Sequence, residues 1–342
     1  MIEIVCPNCA ADLQVPLSPI HTCDYCGTAI QVSKMVGQDA TTITGQELSE
    51  ETKNAYIIKD HFIVRAHYNP KEAQSILVDW IKKIPGAPQD FETSATIYDR
   101  ELVFYPIWVG EYSADTNYVG IDDWPNFSIP AFDRPGWYEH VSYYKKEESG
   151  RINRQYQIPI IALNMEKIPK YLQTYEISTT GKEFFDITHV KTLGGRVEDS
   201  TFQIEEAKQK MNELVIDRQT NEIKKEIHTI TNRDDDIQEH NIYYIHFPVY
   251  QVKFKYGNKD YQALIDGSSG RIIHTAIPLA ASYRMKTILT GSAFIIGAIM
   301  LILTGLLLNI EFFGIGSGTG LGLIGIMFFL LNVRRGAKEK TK

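Results

Sequence analysis

The four cysteines of this 342-residue chain all fall within its first 26 residues, as two CxxC pairs, Cys6 with Cys9 and Cys23 with Cys26. Two cysteines three apart can turn both sulfurs toward one ion when the following backbone amides fold around them. Four thiolates then close a tetrahedral Zn²⁺ site with no position left for water or substrate, so the expected zinc is single and structural. Gly27, directly after the second pair, suits the tight turn such a knuckle needs. The alternative is a pair of disulfides in a secreted domain, which a reducing compartment would disfavour. His21 lies near the second pair, but with four cysteines filling the coordination sphere it reads as a surface residue. No HExxH, GxSxG, phosphate-loop or dinucleotide fingerprint occurs, and no cysteine is left over as a nucleophile, so no catalytic residue and no enzyme are expected.

The elements that position the cysteines are short alternating runs at residues 2–5, 13–15 and 28–32, read as three small strands of a zinc ribbon over residues 1–33. Residues 34–55 turn polar and lose apolar period, as a flexible tether would. A first α+β unit is expected over 56–160. Asn69 caps its helix, Pro70 takes the first turn, Glu72 completes a capping box, and Ala73, Ile76, Leu77, Trp80, Ile81 and Ile84 form one apolar face. Strand-like segments follow, dense in aromatics: Trp108, Trp124, Phe127, Phe132, Trp137, Tyr143 and Tyr144. Such density suits the core of an antiparallel sheet more than a ligand groove. A second unit, over 161–280, repeats the plan. A helix capped near Ser200 and Gln203 runs to about Thr229, with a bend or break expected near Asp217. The run from Arg233 to Asp236 reads as a solvated loop. A meander follows, with turns at Gly257 and from Asp266 to Gly270. Tyr105, Pro106, Ile107 and Trp108 are echoed by Phe247, Pro248, Val249 and Tyr250, and each proline implies an edge or a bulge.

Residues 287–308 and 312–333 are two runs without a charged side chain, separated by Asn309, Ile310 and Glu311. A helix rising ~1.5 Å per residue needs ~20 residues to cross a bilayer, and both runs meet that length. Arg284 and Lys286 precede them, and Arg334, Arg335, Lys338, Lys340 and Lys342 follow. This places both ends on the cytoplasmic side of a transmembrane helical hairpin over 284–336, ahead of a basic tail at 337–342. Gly314, Gly318 and Gly322 form GxxxG pairs suited to close helix packing. The expected location is therefore the cell membrane, as a two-helix multi-pass protein. No signal peptide is visible at the N-terminus. The net charge of −7 is uneven, because the C-terminal flanks are basic and the head is correspondingly acidic. The expected fold is thus multidomain: an N-terminal zinc ribbon, an α+β body of two helix-plus-antiparallel-meander units, and a C-terminal two-helix transmembrane hairpin.

With Cys6, Cys9, Cys23 and Cys26, the proline-capped helix, the two proline-centred strands and the apolar hairpin in view, the chain resembles bacterial membrane proteins with an N-terminal transcription-factor-B-type zinc ribbon. Only the four cysteines are a specific motif within that likeness. The resemblance implies a non-enzymatic membrane-anchored adaptor, with the lipid bilayer, a second membrane protein and a cytoplasmic SPFH-type or phage-shock protein A-like protein as partners in an envelope-stress assembly. The alternative is a membrane-tethered nucleic-acid-binding ribbon related to replication or transcription. Glu3, Asp12 and Asp24 against Lys34 leave the ribbon acidic, and a phosphate-binding surface needs clustered Lys and Arg.

Overall fold

The structure, a computed structural model, describes residues 2–15, 18–32, 55–126, 142–278, 280–307, 319–324 and 326–327. It divides into two compact units, Met1–Arg65 with Phe104–Pro248, and Ala66–Val103 with Val249–Lys342. Among the described residues, helix comprises five α-helices, one 3-10 turn and residues 319–324 and 326–327, and strands dominate.

In the first unit the ribbon opens with β1 (Ile2–Val5) and β2 (Asp12–Val15), an antiparallel pair forming a sheet of its own from Ile2↔Val15 to Val5↔Asp12. A second small sheet joins β3 (Ile20–Thr22), β4 (Ala29–Val32) and β5 (Ala55–Ile57). Next, β6 (His61–Val64) pairs in parallel with residues 244–246 of β11 (Thr229–Tyr256) and antiparallel with β9 (Lys182–Phe184). The longest ladder joins β7 (Ala95–Asn126) to β8 (Ser142–Ile161), from Ile107↔Ile161 to Asn126↔Ser142. Buried residues explain the pattern of β7. Leu102 to Gly110 are buried without a break, as in a strand covered on both faces. From Tyr112 onward every second residue is buried, as in a strand covered on one. Over that covered face lies α4 (Ile204–Glu226), whose Ala207, Met211, Val215, Gln219 and Ile223 make a straight buried stripe four residues apart. The helix α3 (Ile187–Thr192) and the short β10 (Arg196–Val197) complete the unit.

The second unit holds α1 (Pro70–Lys82), α2 (Phe91–Ser94), β12 (Lys259–Asp266), β13 (Ile272–Thr275), α5 (Ala281–Leu307) and the ends of β7 and β11 that fall within its residues. The start of α1 follows its sequence: Asn69 Oδ1 accepts from the Lys71 and Glu72 amides, and Glu72 Oε2 accepts from the Asn69 amide at 2.7 Å. Its buried face is Ala73, Leu77, Val78 and Ile81. Phe91 packs edge-to-face on Phe254 at 5.4 Å, and Phe254 stacks on Tyr261 at 5.3 Å. Gly257, in the left-handed region, turns β11 into β12. Asp266 ties the next turn by accepting from the amides and hydroxyls of Ser268 and Ser269.

Several expectations are corrected. The body is not an α+β pair of helix-plus-meander units but a mostly antiparallel sheet in which a strand from near the start of the body, β6, pairs with β11, far along the chain. Periodicity reports which face of a strand is buried and is silent about its neighbour. The acidic run at Asp234 to Asp236 is not a loop but part of β11. Nor does α4 break at Asp217, because Gln219 continues its buried stripe. The prolines have a plain role: the ladder with β8 starts at Ile107, just after Pro106, and the ladder with β12 starts at Val249, just after Pro248. Proline has no amide proton to give to such a ladder.

The transmembrane hairpin is corrected as well. Among the described residues no helix is long and apolar enough to cross a membrane. The first apolar run falls in α5. Thr290, Gly291, Ser292, Gly297 and Thr304 add little apolar surface, and Thr304 returns its hydroxyl to the Met300 and Leu301 carbonyls. Of the second run, only residues 319–324 and 326–327 are described. Gly314 and Gly318 lie outside the described residues, as do the basic tail and the tether over 34–54. The cell-membrane, multi-pass location with cytoplasmic termini is corrected with the hairpin.

Candidate metal centre

Each cysteine pair sits at the mouth of a small hairpin. In the first knuckle the Cys6 amide donates to Ala11 O and the Ala10 amide to Cys6 O, both at 2.9 Å. In the second, the Cys23 amide donates to Thr28 O at 2.9 Å and the Gly27 amide to Cys23 O at 2.8 Å. The two knuckles therefore share one backbone plan, and in each the residue after the second cysteine is left-handed: Gly27 at φ 76° and Ala10 at φ 57°. Glycine takes that conformation freely, whereas alanine is strained there by roughly 1 kcal/mol.

These turns bring all four sulfurs within 4.8 Å of one another. Cys6 Sγ lies 3.6 Å from Cys26 Sγ, and Cys9 Sγ lies 3.8 Å from Cys23 Sγ. Four sulfurs at ~2.3 Å from one ion in a tetrahedron stand about 3.8 Å apart, so this donor set has the shape and size of a closed four-thiolate site. The thiols are unequal. Burial pushes Cys23 up to about 12. Burial acts on Cys26 in the same sense and is the largest single influence, but hydrogen bonds with the Thr28 hydroxyl and amide, Cys9 and Asn8 together bring Cys26 down to about 6. Thr28 Oγ1 stands 3.1 Å from Cys26 Sγ and accepts from Asn8 Nδ2 at 2.8 Å. Behind the sulfurs, Ile4, Leu13, Val15, Ile30 and Val32 form a small apolar cluster.

His21 is not a surface residue. It is 8% exposed, and its Nδ1 lies 2.6 Å from Asp199 Oδ2. The other carboxylate oxygen of Asp199 accepts from the Thr22 amide at 3.1 Å. Ser18 Oγ donates to Ser200 O, and Ile20 bridges to Ser200 in antiparallel fashion. Ile20 and Ala29 are buried in one cluster with Trp108, Tyr112, Phe202 and Tyr244. The ribbon half that carries Cys23 and Cys26 is thus seated on the rest of the first unit.

Beside it lies a buried group that sequence reading missed. His61 Nε2 and His246 Nδ1 are 2.9 Å apart, so one ring donates and the other accepts. Burial holds both well below the usual imidazole range, His246 at about 4. Phe185 stacks on His61 at 4.3 Å and also covers Gly27, where an added Cβ would come within 2.9 Å of the ring. No local spacing joins His61 to His246, and only the parallel pairing of β6 with β11 does so.

The aromatic-rich segment divides. Trp108 is buried as expected of core, whereas Trp124, Tyr143 and Tyr144 are exposed, and Lys146 Nζ lies 4.2 Å above the Trp124 ring. Phe127, Phe132 and Trp137 lie outside the described residues. Asp235 is tied by Thr116 and Arg233, an internal contact rather than a cation site. The chain matches no protein-family model, no curated protein and no solved structure.

Proposed function

We propose that Cys6, Cys9, Cys23 and Cys26 hold one structural zinc ion, and that the chain is a non-enzymatic adaptor that docks other proteins through its ribbon. What supports this most is the closed donor set, with four sulfurs within 4.8 Å of one another. A metal that spends all four positions on thiolates has none for a substrate, so its work is to shape a surface. The acidic ribbon favours a protein partner over a polyphosphate one. By resemblance alone, the partner class is an SPFH-type or phage-shock protein A-like protein. The test is affinity capture with the zinc-loaded full chain beside Cys23→Ser. A protein of that class should be retained by the wild type and lost with the variant. Binding of DNA or RNA at micromolar protein, weakening steeply with salt while no protein partner depends on Cys23, would replace the adaptor with a nucleic-acid-binding ribbon.

A further inference from the structure

The two halves of the ribbon are held differently. Cys23 and Cys26 lie between anchors to the rest of the first unit: His21 and Thr22 on Asp199 just before them, and Gly27 under Phe185 just after. Cys6 and Cys9 sit on β1–β2, a two-stranded sheet of its own. That hairpin meets the second half through the sulfurs, the Asn8–Thr28 hydrogen bond and the small cluster around Ile4, Leu13 and Val15. A unit this small buries too little apolar surface to stay folded by itself.

We propose that the metal is a clasp: it pins the free β1–β2 hairpin onto a half of the ribbon that the body already holds, so that its loss releases residues 2–15 and leaves residues 18–32 in place. This rests on the metal reading above. Because a metal bound to the native state stabilises whatever it joins, the effect of chelation should fall on the side that, among the described residues, has no anchor to the body. The released hairpin would uncover Ile30 and Val32 on β4, an apolar face closed while metal is bound. Zinc occupancy would then govern which ribbon surface a partner meets.

The experiment is hydrogen exchange on the full-length protein before and after chelation, with zinc measured in the same samples. Exchange across residues 2–15 should rise at least tenfold on chelation, while residues 20–22 and 29–32 keep most of their protection. In Asp199→Ala, chelation should deprotect residues 20–22 further than in the wild type, while the seating of Ile20 and Ala29 in the core keeps them better protected than residues 2–15. Equal deprotection of both halves in the wild type, or a hairpin still protected once the zinc is gone, would overturn the clasp while leaving the zinc site standing. A chain that takes up no zinc would overturn both.

Discussion

At the scale of single residues, the two knuckles differ in one respect that stability can read. Ala10 occupies the position where the second knuckle has Gly27, and both are left-handed. Ala10→Gly should therefore stabilise the ribbon, by up to about 1 kcal/mol, seen as stronger exchange protection of residues 2–15. Gly27→Ala should do the reverse and by more, because its Cβ would also meet the Phe185 ring. The His61–His246 pair makes a second prediction. Both rings stay neutral in the fold below the pH at which they would charge in the unfolded chain, so the unfolded state binds more protons as pH falls. Stability should be full above about pH 6.5 and fall with acid by ~1.4 kcal/mol per pH unit for His246, levelling off below its folded value. Urea melts of the wild type and His246→Phe at pH 7 and pH 5 should show the variant losing less between the two. An equal loss would place the acid sensitivity elsewhere.

At the scale of elements, α4 shows why some of the fold was legible and some was not. Its start near Gln203 and its apolar positions were readable, because a helix writes its buried face into local spacing. The break expected near Asp217 came from Ile216, Ile223, Ile227 and Ile230, which drift to another stripe. The helix instead runs on through Gln219, a polar residue inside the buried stripe. The structure gives it partners: its Nε2 donates to Ala114 O at 3.0 Å and approaches Thr116 Oγ1 and Ile152 O at 3.2 Å, and its Oε1 accepts from Tyr156 OH at 2.8 Å. Gln219→Leu should take this partner from the buried Ala114 and Ile152 carbonyls and the Tyr156 hydroxyl, and cost about 1–3 kcal/mol in chemical denaturation. Asn69→Ala at the start of α1 should cost about 1 kcal/mol, as loss of a capping box does. Capping residues, turn glycines and the cysteine spacing are local signals, and the sequence shows them directly. The contacts of His21 with Asp199, and of β6 with β11, span most of the chain, and nothing at either end marks the other. Acidic residues misled in the same way: Asp234 to Asp236 look like a loop until the strand around them is seen to have one exposed face.

At the scale of the whole molecule, the ribbon is part of the first unit rather than an appendage. Ile20 and Ala29 share a core with Trp108 and Tyr244, and β4 pairs with β5. On the proposed reading, the body fixes the orientation of the ribbon and the metal fixes its shape. The most direct measurement is metal content together with a thiol count on the purified full-length protein. The proposal predicts one zinc per chain, no disulfide, and release of zinc in Cys6→Ser, Cys9→Ser, Cys23→Ser and Cys26→Ser alike. Much less than one zinc per chain with all four thiols reduced, or two disulfides in place of the metal, would contradict it.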